Sequence, residues 1–214
     1  MNPVDQVLQG SFPSVMVPTR EPVVPMSAPG ERLLIASNGV FLEIDRPWIR
    51  LVRRLGSFSW RTPVPYGEAA DATEVRCGAV PTDLVAGFAR MARAALPNEV
   101  GAWITWNAST GAFRLVPLPS LSHSPAHLHY ERPELEADEW LVVDCHSHGR
   151  GRAYFSSTDD RDDQHDVKLA LVLGHCHQVP SVALRLCAKG RFEVQRAVPE
   201  RWRAALATSA AEVV

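Results

Sequence analysis

Residues 140–160 read WLVVDCHSHGRGRAYFSSTDD, and this stretch decides how the rest of the chain is interpreted. Its first five residues, 140–144, have the β-branched centre of a buried strand. His146 and His148 follow at a spacing of two residues. In an extended backbone, side chains at i and i+2 point to the same side, so both imidazoles can reach one metal ion.

A short helix is predicted after the two histidines. Ser156 or Ser157 can cap it, and acidic residues occupy its first turn, where the helix dipole favours them. We expect the helix to begin near Thr158 and to end at about Val167. Asp159 would then supply a carboxylate oxygen from across the intervening loop.

Two imidazoles and one carboxylate form a ligand set typical of catalytic zinc, with the fourth tetrahedral position open. A water at that position would become acidic enough to attack a carbonyl. Glu99 stands where a predicted helix ends and a strand begins, and we expect it to act as the base that carries the proton to the leaving amine. Ser156 can donate to the developing oxyanion, only cap its helix, or do both.

These residues resemble the signature of the JAMM (JAB/MPN) metalloprotease family, an upstream glutamate followed by H-S/T-H-x7-S-x-x-D. The resemblance implies that His146, His148 and Asp159 are ligands of one Zn²⁺ per chain, that Glu99 is the general base and that Ser156 is the oxyanion donor. It covers roughly the C-terminal 60% of the chain. It implies an α/β fold with a mixed β-sheet flanked by helices, related to the cytidine deaminases.

The whole chain is also similar to the protein A family of bacterial PRTRC plasmid cassettes. The matching features are LLIASNGVFLEIDRPWIRLV at residues 33–52, PYGE at residues 65–68 and a tryptophan-rich strand after Glu99. Such cassettes carry a gene for an E1/ThiF-like enzyme. The resemblance therefore implies that the chain cleaves a peptide or isopeptide bond at the tail of a ubiquitin-like or sulfur-carrier-like protein, with the E1/ThiF-like enzyme as a further partner.

Two other interpretations stay open at this point. One is a non-catalytic scaffold or binding module that uses the same fold, which the intact Glu99 argues against because a scaffold needs no general base. The other is a hydrolase of small-molecule amides. A protein substrate predicts an extended tail along a strand edge, whereas a small molecule predicts a closed pocket.

Composition excludes several classes of function. The 214 residues carry 22 Lys and Arg against 24 Asp and Glu, a formal charge of −2, so no basic excess favours nucleic acid. No apolar run approaches the ~20 residues of a membrane-spanning helix, and no secretory signal is evident. We therefore expect a soluble, cytoplasmic protein with neither a nucleic-acid nor a membrane partner. The four cysteines form no CxxC pair, so we expect no disulfide framework, and Cys145 is expected in the core.

The chain divides into four predicted segments. A proline-rich and flexible arm covers residues 1–30, and a β-rich extension covers residues 31–80. The metalloprotease core is expected over residues 81–198, followed by a C-terminal helix or tail over residues 199–214.

The period of the apolar residues predicts the main elements. A hairpin turns at Asn38-Gly39, and a helix capped by Thr82 continues to Pro97. Between Ser57 and Val80, Gly and Pro breaks at Pro63, Pro65 and Gly67 predict loops with short strands. The remaining predicted strands cover residues 48–52, 100–106, 112–118, 140–144, 169–174, 181–188 and 191–195.

All eight histidines lie between His123 and His177. His123, His127 and His129 fall in a predicted loop, where we expect them to be solvated rather than to line a substrate groove. His175 and His177 repeat the spacing of two without a following S-x-x-D. We expect them at a strand end and not among the metal ligands.

Overall fold

The computed structural model describes residues 2–58 and 64–211, and they form two compact units, Met1–Gly78 and Ala79–Val214. The predicted break at Pro63 and the last residues of the predicted C-terminal segment lie outside the described residues. Within the described residues, no helix has the length and apolar character needed to cross a membrane.

The first unit is one five-stranded sheet with a short helix. Its elements are α1 (Pro3–Ser11), β1 (Ser14–Met16), β2 (Gly30–Ala36), β3 (Gly39–Arg46), β4 (Ile49–Gly56) and β5 (Ala72–Val75). The strands follow the order β1-β2-β3-β4-β5. The predicted β2–β3 hairpin is present, but its two-residue turn is Ser37-Asn38, because Gly39 already pairs with Ala36 as the first residue of β3.

The proline-rich arm contains more structure than its composition predicts. The side chain of Asn2 accepts a hydrogen bond from the Val4 N–H and so caps α1, while Pro3 occupies the first helical turn, where a proline costs no hydrogen bond. β1 pairs in parallel with β2. The prediction of an extended arm over residues 1–30 is therefore corrected at α1, while the flexibility of the arm stays a prediction.

The second unit contains a mixed six-stranded sheet. Its elements are α2 (Thr82–Ala94), β6 (Gly101–Asn107), β7 (Phe113–Pro117), β8 (Ser120–Ser124), β9 (His127–Tyr130), β10 (Glu139–Ser147), α3 (Ser157–Asp163), β11 (Val167–Gly174), β12 (Ser181–Ala188), β13 (Arg191–Val194) and α4 (Glu200–Ala211). The strand order is β13-β12-β11-β10-β6-β7. β10 lies near the centre, parallel to β11 and antiparallel to β6.

The two faces of this sheet differ in character. On β10, Val143 and Cys145 are fully buried, and α2 packs against β6, β7 and β10 as well as against α4. The alternate residues Asp144 and His146 point to the other face, towards α3. The mixed sheet flanked by helices confirms the predicted fold class.

Three local predictions are corrected. Pro81, not Thr82, is the N-cap of α2, and no side chain caps that helix. α3 ends at Asp163 rather than near Val167, because Val167 already begins β11. The predicted histidine-rich loop forms the β8–β9 hairpin, a separate two-stranded sheet.

Candidate metal centre

The end of β10 brings the two histidines of the H-x-H motif together. The Nε2 atoms of His146 and His148 lie 3.3 Å apart. The Nδ1 atom of His148 lies 3.0 Å from the carbonyl oxygen of Arg152. When Nδ1 carries the hydrogen and donates to this carbonyl, the lone pair of Nε2 is available for a metal ion. Burial lowers the pKa of His146 and so favours the neutral imidazole, the form that binds a metal ion.

Asp159 completes the cluster from the first turn of α3. Its Oδ1 atom lies 3.5 Å from Nε2 of His146. Its other oxygen, Oδ2, accepts hydrogen bonds from the Ser156 N–H (2.6 Å) and the Ser156 hydroxyl (2.7 Å), while Ser156 Oγ accepts from the Asp159 N–H. This capping box fixes the carboxylate with one oxygen turned towards the histidines.

The donor set fits zinc. One ligand atom from each of His146, His148 and Asp159 lies within 4.8 Å of the other two. Zinc bonds of about 2.0–2.1 Å in a tetrahedron place neighbouring donors about 3.3–3.4 Å apart, close to the separations found here. An octahedral magnesium site would bring neighbouring donors to about 2.9 Å and would prefer oxygen ligands.

Close backbone packing holds the loop between the histidines and α3. The loop runs against Gly174 at the end of β11, where an added Cβ would meet the backbone nitrogen of Ala153 at 2.2 Å. The His175 N–H donates to the Gly151 carbonyl, and the Ala153 N–H donates to Ser181 Oγ. These contacts fix the Arg152 carbonyl that orients the imidazole of His148.

Buried ion pairs hold α3 on the sheet. The Nζ atom of Lys168, which is only 3% exposed, lies 2.7 Å from carboxylate oxygens of both Asp144 and Asp163 and 2.9 Å from Asp166. Arg185 binds Asp163 as well, at 2.7 Å. Since Asp144 precedes His146 by two residues and Asp163 belongs to α3, these salt bridges tie the two elements that carry the candidate ligands.

These ion pairs correct part of the sequence interpretation. From the sequence, the acidic residues after Asp159 are explained only by the helix dipole, but Asp163 is buried and Asp160 pairs with Arg185. The signal was present in the strands, because Lys168 and Arg185 are single charges within otherwise apolar runs. A buried charge of this kind needs a partner of opposite sign.

Glu99 lies in the loop between α2 and β6 and lines the same cavity as the three candidate ligands. Burial, together with the negative charge of Asp159, raises the pKa of Glu99 to about 7. A carboxyl group with this pKa can both accept and release a proton near neutral pH. The structure thus brings all five residues named from the sequence into one place.

The cavity has a volume of about 400 Å³. It is lined by residues 125–128, the turn and the start of β9 in the β8–β9 hairpin, and by Tyr154, Ser156 and Thr158. His127, on the hairpin, is exposed and also lines the cavity, which supports the alternative that was not favoured from the sequence. His123 and His129 are exposed.

The remaining histidine pair and Cys145 lie where the sequence predicts. His175 and His177 follow β11, and the metal-binding group found among the described residues does not include them. Cys145 is fully buried, and the four cysteines are free thiols.

Comparison with known proteins gives the following relationships. The family described as prokaryotic homologs of the JAB domain matches residues 81–187, half of the chain, and a domain of unknown function (DUF2016) matches residues 2–76. No curated protein matches. The solution structure of protein DSY2949 from Desulfitobacterium hafniense is 20% identical in sequence to this chain, with a TM-score of 0.41, and the match covers 54% of this chain and 88% of that one.

The JAB domain family includes peptidases and often binds zinc. With the family match spanning the whole candidate site, this chain belongs to the prokaryotic homologs of the JAB domain.

Proposed function

We propose that the chain is a zinc-dependent hydrolase of the JAMM type. The observation that carries the proposal is the convergence of two imidazoles and a carboxylate on one point, with Glu99 in the same cavity but outside the ligand group. His146, His148 and Asp159 would hold the zinc, which when bound supplies a Lewis acid for a carbonyl oxygen and makes a water more acidic. A scaffold function requires neither the ligand set nor the raised pKa of Glu99.

Glu99 has the protonation behaviour that amide hydrolysis needs. In the proposed reaction it accepts a proton from the attacking water as the oxygen–carbon bond forms. It then gives that proton to the amine nitrogen as the carbon–nitrogen bond breaks, so it returns to its starting state. With its pKa near 7, neither transfer is strongly uphill.

Ser156 has a dual role in this proposal. Its hydroxyl lines the cavity and donates to Asp159 Oδ2. When negative charge develops on the carbonyl oxygen, the hydroxyl hydrogen turns from the carboxylate to that oxygen. Such a donor contributes typically 10²–10³-fold to the rate of acyl transfer.

We propose a peptide or isopeptide bond at the tail of a ubiquitin-like or sulfur-carrier-like protein as the substrate. Support comes from the lining of the cavity, because an extended tail that reaches the candidate ligands would contact the β8–β9 hairpin as well as the loop that precedes α3. The resemblance to the PRTRC family adds an E1/ThiF-like enzyme as a proposed partner. The narrower PRTRC assignment stays a prediction.

The test is Glu99→Gln in the zinc-loaded protein. We expect one zinc per chain to be retained, because Glu99 is outside the ligand group, and kcat to fall at least 100-fold on a fluorogenic amide of a ubiquitin tail peptide. The matched control is Glu134→Gln, which alters an exposed glutamate outside the cavity. Equal turnover by Glu99→Gln and wild type would contradict the assigned role. Turnover of simple acyl amides but of no tail substrate would favour the small-molecule hydrolase instead.

A further inference from the structure

The two residues that alternate with the histidines, Ser147 and Gly149, contact the loop that carries Glu99. Ser147 is fully buried and points away from the face that bears His146. Its Oγ atom accepts a hydrogen bond from the Val100 N–H at 3.1 Å, and its own N–H donates to the Val100 carbonyl at 3.0 Å. Both backbone groups of the residue that follows Glu99 are therefore bound by Ser147.

The hydrogen bonds of Ser147 extend the pairing of β10 with β6. The regular register ends with His146 opposite Gly101, so Ser147 and Val100 form the next pair. In a regular antiparallel pair of this kind, Ser147 would accept through its carbonyl. Here the hydroxyl oxygen accepts instead, so a side chain fixes the orientation of the Glu99–Val100 peptide group.

Two further contacts hold the same loop. The Glu99 N–H donates to the Ser124 carbonyl at 3.0 Å, which fixes the peptide group on the other side of Glu99. Gly149 has a φ of +52°, and a Cβ added there would lie 2.7 Å from the carbonyl oxygen of Pro97. Only glycine lets the segment after His148 approach the Glu99 loop this closely.

We propose that Ser147 and Gly149 are positioning residues that set the place of the general base relative to the metal ligands. The inference rests on the proposed function and deepens it. The H-S-H-G segment at the end of β10 then has two functions. His146 and His148 would bind the metal, while Ser147 and Gly149 hold the Glu99 loop. A shift of Glu99 by about 1 Å would slow proton transfer without removing any ligand.

The test compares Ser147→Ala with Ser147→Thr, which keeps the hydroxyl, in the zinc-loaded full chain. We expect Ser147→Ala to keep one zinc per chain, to lower kcat about tenfold with KM within twofold, and to speed hydrogen exchange of the Val100 amide at least tenfold. Ser147→Thr should restore both kcat and amide protection. The control Ser209→Ala removes another buried hydroxyl, one that donates to Leu206 within α4, and should change neither value.

Gly149→Ala provides a second variant that leaves the Ser147 hydroxyl in place. It should also lower kcat while zinc is retained, because the added methyl group displaces the Pro97 carbonyl. Unchanged exchange at Val100 in Ser147→Ala, or a fall in kcat that only accompanies zinc loss, would overturn the inference. If wild type cleaves no amide, the proposed function fails, and exchange at Val100 alone then decides whether Ser147 holds the loop.

Discussion

Replacing Lys168 with methionine tests how the ion pairs support the site. Methionine keeps most of the side-chain volume but removes the cation beside Asp144, while Asp163 keeps its ion pair with Arg185. Removing one partner of a buried ion pair costs about 3–5 kcal/mol, because the remaining charge stays buried. Since Arg185 continues to neutralise Asp163, we expect the lower end, about 3 kcal/mol, in the free energy of unfolding.

The assay is urea unfolding of zinc-free protein followed by tryptophan fluorescence at pH 7. Arg201→Met is the matched control, since it removes an exposed cation outside these ion pairs. Burial raises the pKa of Asp163, but the charges of Lys168 and Arg185 outweigh burial and lower it overall. The contribution of this carboxylate is therefore present above its unfolded pKa and is lost as the pH falls through the lower folded value.

The difference between wild type and Lys168→Met should accordingly shrink under acidic conditions. We also expect weaker zinc binding in this variant, because α3 carries Asp159 and loses one of its two anchors. A loss of less than 1 kcal/mol, equal to that of Arg201→Met, would refute the reasoning that these charges hold α3 on the sheet.

Two further predictions concern the cap of α3 and the acid stability of the second unit. Ser156→Ala should lower the free energy of unfolding by about 1 kcal/mol in urea, because the helix loses its cap. It should also weaken zinc binding about 10- to 100-fold in competition with a chelator, because the ligand Asp159 loses a hydrogen bond. The neighbouring Ser157→Ala should change neither value. The hydrogen bonds from Arg114 hold the pKa of Glu139 at about 2, so this pair stabilises the fold above pH about 4.5 and loses its effect as the pH falls towards 2. Because Arg114 is half exposed, we expect the free energy of unfolding of Glu139→Gln to be only about 1–2 kcal/mol below that of wild type at pH 7. This difference should decrease when unfolding is measured towards pH 2–3. A difference that does not change with pH would contradict this explanation.

The candidate site was predictable because its chemistry is local in sequence. The spacing of two between His146 and His148 places both rings on one side of a strand wherever that strand lies. Asp159 follows from its place in the first turn of the helix that is predicted to begin near Thr158. The strands of the six-stranded sheet were also predictable from the sequence, since their apolar runs have the length and period of buried strands.

What the sequence did not reveal depends on contacts between distant segments. Asp163, in α3, can be a buried anion only because it forms ion pairs with Lys168 in β11 and Arg185 in β12. The β8–β9 hairpin has the histidine and proline content of a loop, and its strands form through pairing with each other. The role of Ser147 could not be predicted, because it depends on the Val100 N–H lying opposite its side chain.

The central claim is that His146, His148 and Asp159 form a zinc site, and metal content tests it most directly. Elemental analysis of protein purified without added metal would be compared between wild type and the His146→Ala/His148→Ala double variant. We expect about one zinc per chain in wild type, as in catalytic sites with three protein ligands, and none in the variant. A folded wild type that binds no zinc even when zinc is supplied would contradict the account.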